Sequence, residues 1–179
     1  MAEAVLKMDE KVDVQEVQIE EKILSLLALQ QPVAVDLRFI VGALKMNNDL
    51  ERIGDHACNI ASTAIKLSDQ PYLKPLKDIP QMGKIAREML HDAVHAFINQ
   101  NPDMARDVCA RDNDVDKLYY KIVDDIIKML HDKMDKVSQG VELIAITRDL
   151  ERIADLSTNL GEEVVFMKEA RIIRHSFGE

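Results

Sequence analysis

The chain has 179 residues, a formal net charge of -9 and 47% hydrophobic residues. That length and apolar content suffice for a buried core in one domain or in two small tandem domains. The acidic balance excludes nucleic acid as an expected partner, because phosphate backbones repel a negative surface. The apolar runs are much shorter than the roughly 20 residues that a membrane-spanning helix needs, so we expect a cytoplasmic protein with no direct membrane insertion.

The sequence predicts an all-α fold. Only 4% of the residues are aromatic, and glycine and proline are few, which is typical of long helices. Apolar residues at helical spacing predict a first helix over residues 2–29, which ends at Gln30 and Gln31. Proline suits the first turn of a helix, so we predict that a second helix runs from Pro32 to Leu67 and forms a hairpin with the first.

The rest of the chain is predicted to form a second helical domain after a linker. Residues 69–80 are rich in proline and cannot form a regular helix throughout, so they are interpreted as this linker. It separates a first domain, residues 1–68, from a second, residues 81–175. The second domain has three predicted helices: residues 81–99, Pro102 to Asp132 with Asn101 as its cap, and Ser138 to Arg174 with Ser138 as its cap.

The two predicted domains contain copies of one helix hairpin. The segment Asp49–Asp55, Asp-Leu-Glu-Arg-Ile-Gly-Asp, recurs 100 residues later as Asp149–Asp155 with six of its seven residues identical. Only the second copy follows a further helix, so the first bundle is predicted to lack its N-terminal helix and to expose an apolar stripe. A partner chain could cover that stripe, or the chain could be a fragment.

Each copy contains two pairs of acidic residues spaced four positions apart. Such spacing places both carboxylates of a pair on one helix face. In the first copy an antiparallel hairpin brings all four carboxylates to one level, whereas in the second the levels match only within about a turn and a half. Converging oxygen ligands of this kind suit Mg²⁺, Ca²⁺, Mn²⁺ or iron. The pairs are Asp9 with Asp13, Glu51 with Asp55, Asp112 with Asp116, and Glu151 with Asp155.

A solvated surface is the alternative for any one of these pairs, because charged residues are normally exposed. Four pairs at duplicated, hairpin-matched positions favour metal sites over that alternative. The arginine that follows each motif glutamate, Arg52 or Arg152, is interpreted as a local ion-pair partner of Asp49 or Asp149.

Catalysis has little support in the sequence. Glu88 and His91 form one E-x-x-H element, which di-iron proteins use in pairs, and the sequence has no second one. Nucleophile and nucleotide-binding motifs are also absent from the sequence, so we predict that the protein is not an enzyme. A carboxylate-bridged metal enzyme of the di-iron type is the alternative function, and a plain helical scaffold is the third.

The motif segments resemble the signatures of the PhoU family of phosphate-transport regulators. The similar segments are Leu27–Arg38, Asp49–Ile60 and, in the second copy, Arg148–Asp155 with Asn159. The resemblance implies two pseudo-symmetric three-helix bundles, residues 1–68 and 81–175, whose E/D-x-x-x-D motifs hold metal ions. We therefore expect divalent or iron-type ions on the eight carboxylates, with iron, zinc, manganese and magnesium all possible.

The resemblance also implies a biological role and partners. Family members of this type are adaptors that repress phosphate-starvation signalling when phosphate is plentiful. The partners so implied are the sensor histidine kinase of the phosphate system and the ATPase subunit of the phosphate transporter. A homodimer is expected in addition, because the first bundle is predicted to have an uncovered face.

Overall fold

The computed structural model describes residues 1–71, 77–131 and 133–173, and within them it contains helices and no strand. The predicted all-α fold is confirmed. None of the helices in these ranges is both long and apolar enough to cross a membrane. The helices are α1 (Ala2–Leu6), α2 (Asp9–Gln30), α3 (Ala34–Leu67), α4 (Asp78–Ile98), α5 (Pro102–His131) and α6 (Val137–Glu169), with a 3₁₀ helix (Met134–Lys136) before α6.

Two predicted boundaries in the first half of the chain are wrong. The helix predicted over residues 2–29 is interrupted at Lys7 and Met8, which separate α1 from α2. The predicted linker, residues 69–80, ends too late, because Pro80 lies in the first turn of α4, where its missing N–H leaves no hydrogen bond unmade. Residues 72–76 of that linker lie outside the described ranges.

The first residues of α5 and α6 differ in how well the sequence predicted them. The side-chain oxygen of Asn101 accepts hydrogen bonds from the backbone N–H groups of Asp103 and Met104, each at 3.1 Å, which confirms the predicted cap of α5. The predicted cap Ser138 is wrong, because it lies inside α6, which begins at Val137. The predicted helix ends Asp132 and Arg174, and the domain end at residue 175, lie outside the described residues.

The last helix ends earlier than predicted. Residue Ala170 adopts a left-handed conformation with φ of 56°, which stops α6 at Glu169. A glycine commonly fills this position at helix ends because it has no Cβ to clash.

Helix α6 is the centre of the structure. It packs with α4 and α5 as a three-helix bundle and also packs against α3, whose other side contacts α2 and α1. The isoleucines of the two motif copies, Ile53 and Ile153, are both buried in this shared core. Lys45 of α3 forms an ion pair with Glu163 of α6, which is only 2% exposed, with 3.1 Å between Nζ and Oε1.

The first half leaves apolar residues exposed where the second half buries them. The helices that precede the motifs, α2 and α5, align at a shift of 103 residues. Ile19 of α2 is 43% exposed, whereas its counterpart in α5, Ile122, is 3% exposed. Likewise Leu50 of α3 is 37% exposed, while its counterpart Leu150 is partly buried against the core and faces Gly83 of α4. The predicted exposed stripe is therefore confirmed, and we call its residues Ile19, Leu26 and Leu50 the uncovered face.

Two glycines of the duplicated hairpins should respond to alanine in opposite ways. A Cβ on Gly161 would lie 2.9 Å from the carbonyl oxygen of Ala105 in α5, and a backbone atom cannot easily move away. We expect Gly161→Ala to lower the free energy of unfolding by about 1 to 3 kcal/mol. A Cβ on Gly54 would meet Val12 at an ordinary 3.5 Å. Replacing this mid-helix glycine by alanine, as in the second copy, should add about 0.5 to 1 kcal/mol.

Urea unfolding of the two variants beside the parent protein measures both effects. Gly54→Ala serves as the control for Gly161→Ala, since both add one methyl group to a helical glycine. Equal stabilities of Gly161→Ala and the parent would contradict the close approach of α5 and α6.

Candidate metal centre

The first carboxylate cluster, Asp9, Asp13, Glu51 and Asp55, lies between α2 and α3. Ile53 is buried in the core that α3 shares with α6, so the residues two positions before and after it face the opposite side of the helix. Glu51 and Asp55 are these residues, and the side they face is that of α2. The pKa of Glu51 is raised by burial and then by the negative charges of Asp55 and Asp13.

A thiol and a further glutamate adjoin the first cluster. Burial, then a hydrogen bond with Asp9 and the charges of Asp9, Asp55 and Asp13, raise the pKa of the Cys58 thiol to about 11. This thiol therefore stays protonated at neutral pH, and a protonated thiol is a poor metal ligand. Glu16 of α2 also contributes to the raised pKa of Glu51, so a fifth carboxylate borders the cluster.

The second carboxylate cluster, Asp112, Asp116, Glu151 and Asp155, lies between α5 and α6. Burial raises the pKa of Asp112 to about 6, with further increases from the charges of Asp155, Asp116 and Glu151. The pKa values of Glu151 and Asp155 are also raised, in each case mainly by burial. Mutual repulsion in a partly desolvated position is therefore a property of this cluster as a whole.

The sequence predicted poorer alignment in the second cluster, yet burial and repulsion raise the pKa values of Asp112, Glu151 and Asp155 there. The 3₁₀ helix Met134–Lys136, which was not predicted, adds about one turn before α6. It therefore adds to the helical residues between the hairpin connection and Glu151.

The two motif arginines have different partners. Arg52 pairs with Asp49 at 3.3 Å, as predicted. Arg152 does not pair with Asp149 and instead contacts Asp155 at 3.0 Å. That prediction was wrong because Asp149 is buried where α3 meets α6. The positively charged guanidinium of Arg152 thus borders the second cluster and partly offsets its negative charge.

One residue of the first motif region links the two halves and was missed by the sequence reasoning. His56 Nδ1 lies 2.9 Å from Asp149 Oδ1, across the contact between α3 and α6. The second copy has Leu156 at the position equivalent to His56, so this hydrogen bond has no symmetric counterpart. This difference between the two copies, directly after Asp55, was the feature of the sequence that could have identified His56.

The donor chemistry of both clusters fits a metal ion, while the present side-chain positions do not enclose one. Four carboxylates suit hard divalent ions or iron. Within residues 1–71, 77–131 and 133–173, no three histidine, cysteine, aspartate or glutamate side chains are positioned to hold an ion together. The two helices of each hairpin bring the carboxylates within electrostatic range of one another.

Glu88 and an acidic cleft lie outside the two clusters. Glu88, the glutamate of the E-x-x-H element, is an exposed ion-pair partner of Lys84 at 3.8 Å. It contributes no ligand toward a di-iron site of the predicted alternative kind.

A cleft of about 650 Å³ lies between α2, α3 and α6, and its lining includes Glu16, Glu20 and Glu162. The acidic surface therefore extends from the first cluster toward the second half.

The raised pKa of Asp112 predicts a pH dependence of stability in metal-free protein. The unfolded carboxyl ionises near its ordinary pKa of 3.8, whereas the folded one stays protonated up to about pH 6. The contribution of Asp112 to the free energy of unfolding is therefore fully present below pH 3.8, and it is lost as the pH rises to about 6. After discounting for solvent screening, we expect a loss of roughly 1 to 2 kcal/mol.

Asp112→Asn isolates this effect, because the amide does not ionise. Urea unfolding with a chelator present measures the free energy of unfolding of both proteins. The value for Asp112→Asn minus the value for the parent protein should be roughly 1 to 2 kcal/mol larger at pH 7 than at pH 4. A stability difference between the two proteins that does not change with pH would show that Asp112 is not strained by its neighbours.

The helices and the carboxylate clusters together define a class of duplicated helical-bundle proteins with an acidic cluster in each half. The PhoU domain family matches residues 1–64 and 79–164, which include all eight cluster carboxylates. The chain belongs to the PhoU family.

Curated relatives and solved structures agree with this membership. The chain is 38% identical to the phosphate-specific transport system accessory protein PhoU homolog of Clostridium acetobutylicum, over 93% of this chain and 77% of that protein. It is also 38% identical to the homolog of the same name from Aquifex aeolicus, over 98% of this chain and 79% of that protein. The crystal structure of PhoU from Pseudomonas aeruginosa matches with a TM-score of 0.92 at 30% identity, covering 95% of this chain and 82% of that one.

Proposed function

We propose that this protein is a metal-binding, non-enzymatic regulator of phosphate uptake that acts in the cytoplasm as a negative regulator of phosphate-starvation signalling. The observation that supports this most is the pair of carboxylate clusters in a chain of the PhoU family. The names of its relatives describe accessory proteins of the phosphate-specific transport system. An adaptor needs binding surfaces and no catalytic group, and the exposed faces of both hairpins offer such surfaces.

The clusters would bind metal as two separate sites. Asp9, Asp13, Glu51 and Asp55 form the first site, and Asp112, Asp116, Glu151 and Asp155 form the second. Burial and then the charges of neighbouring carboxylates raise the pKa of Glu51 and Asp112, and a bound cation would offset both effects by stabilising the ionised carboxylates. Iron, zinc, manganese and magnesium are the candidate ions, and occupancy would change the charge that each hairpin presents to a partner.

The partners that we assign are the ATPase subunit of the phosphate ABC transporter and the sensor histidine kinase of the phosphate system. Both would contact the acidic helix faces, where complementary charge speeds association and selects the partner. No nucleic acid is expected, because the net charge of -9 opposes it.

Co-purification of the full chain with each purified partner tests this role directly. We expect binding to at least one partner in low salt, weakened in the Glu51→Gln, Asp55→Asn, Glu151→Gln, Asp155→Asn variant, which removes charge from the proposed surface. Failure of the folded parent protein to bind either partner, with and without metal, would refute the adaptor role.

A homodimer is the second part of the proposal. The uncovered face is apolar, and α4 covers the corresponding positions in the second half. Two α2–α3 hairpins placed face to face would form a four-helix bundle and bury this surface in both copies.

A further inference from the structure

Two histidines of α4 lie side by side at the surface, and neither the fold nor the proposed function uses them. His91 and His95 are one helical turn apart, their ring centroids are 4.3 Å apart and the ring planes differ by 45°. Histidines four residues apart on a helix can bind one zinc ion from the same face. Both side chains are exposed, so an ion could reach them directly from solvent.

The neighbouring residues fix the orientation of one ring. His91 Nδ1 lies 3.1 Å from Asp92 Oδ1, and Arg111 of α5 donates from Nη2 to Asp92 Oδ2 at 2.6 Å. When His91 donates its Nδ1 proton to Asp92, the lone pair of Nε2 remains available to an ion. A carboxylate that orients a histidine in this way is the usual supporting contact of metal-binding histidines, and the Arg111 contact holds the carboxylate in turn.

We propose that His91 and His95 together bind one divalent ion of the zinc or copper type, with water completing its coordination. Imidazole nitrogen suits zinc, copper and nickel, whereas the carboxylate clusters suit harder ions, so this site differs from them in chemistry.

Cu²⁺ added to the intact protein tests the site by electron paramagnetic resonance. Copper bound by two imidazoles shows hyperfine coupling to two nitrogens, while copper on the carboxylate clusters shows none. The two-nitrogen signal therefore distinguishes copper at this site from copper on the clusters. We expect the two-nitrogen signal in the parent protein. His91→Asn and His95→Asn should each abolish it and weaken copper binding at this site roughly 100-fold, because a two-point attachment becomes a single one.

Two further variants complete the experiment. His131→Asn changes an exposed histidine at the end of α5 and should leave the signal intact. Asp92→Asn should keep the two-nitrogen signal but weaken binding about tenfold, because the orienting carboxylate is lost. Thermal melts check that each variant is folded. The proposal is overturned if the parent protein lacks the two-nitrogen signal, or if a folded His91→Asn or His95→Asn variant retains it.

Discussion

Metal ions are expected to stabilise the parent protein strongly and to have little effect once the carboxylates are neutralised. At a free concentration about 100 times the dissociation constant, one bound ion adds about 2.7 kcal/mol to the free energy of unfolding. The test variant has Glu51→Gln, Asp55→Asn, Glu151→Gln and Asp155→Asn, which leave each cluster with two of its four carboxylates. Neutralising these residues removes half of the ligands of each cluster and reduces the repulsion among the carboxylates.

The variant should therefore differ from the parent protein in two opposite ways. Without metal it should be the more stable of the two, because the carboxyls of Glu51, Glu151 and Asp155 have raised pKa values and are costly to ionise in the folded state. With metal the order should reverse, since only the parent protein gains binding energy. A general weakening of the fold would lower stability in both conditions and would not produce this reversal.

Elemental analysis and thermal unfolding with and without manganese, zinc, iron or magnesium measure the effect. Asp103→Asn with Asp107→Asn is a matched control, because these exposed aspartates are also four residues apart on α5 but lie outside the clusters. The control should keep the metal response of the parent protein. Equal metal content in the parent protein and the cluster variant would refute the assignment of the eight ligands.

The sequence was sufficient to predict the helices and the candidate ligands, because both depend on spacing within one helix. Carboxylates at Asp9 and Asp13, or at Glu51 and Asp55, share a face whenever the segment is helical. The hairpin connections then bring the two helices together. The break at Lys7 and Met8 was not predictable from periodicity, since the apolar pattern continues through it.

Features that depend on the contact between the two halves could not be predicted. The pair His56 and Asp149 forms only because α3 crosses α6, and no local pattern specifies that crossing. The raised pKa of Asp112 depends likewise on how deeply α5 and α6 bury it. Spacing therefore identified which carboxylates meet, while their energetics required the packed structure.

The uncovered face is expected to make the protein dimeric at micromolar concentration, and two lysines should make it monomeric. In the variant with Ile19→Lys and Leu26→Lys, each subunit would place two charges on the face that the proposed dimer buries. Symmetry doubles the loss of dimer stability, because every substitution occurs in both subunits. A loss of at least about 4 kcal/mol would raise the dissociation constant about a thousandfold.

Val14→Lys is the control for this experiment. Val14 is an apolar residue of α2 that is 50% exposed, as exposed as the residues of the uncovered face. Its counterpart in α5 is Lys117, so the second half already has a lysine at this position, on a side that α4 does not cover. Sedimentation or light scattering should give a dimeric mass for the parent protein and for Val14→Lys, and a monomeric mass for Ile19→Lys with Leu26→Lys. A monomeric parent protein would refute the dimer, whereas dissociation in Val14→Lys as well would show that the effect of the lysines is not specific to the uncovered face.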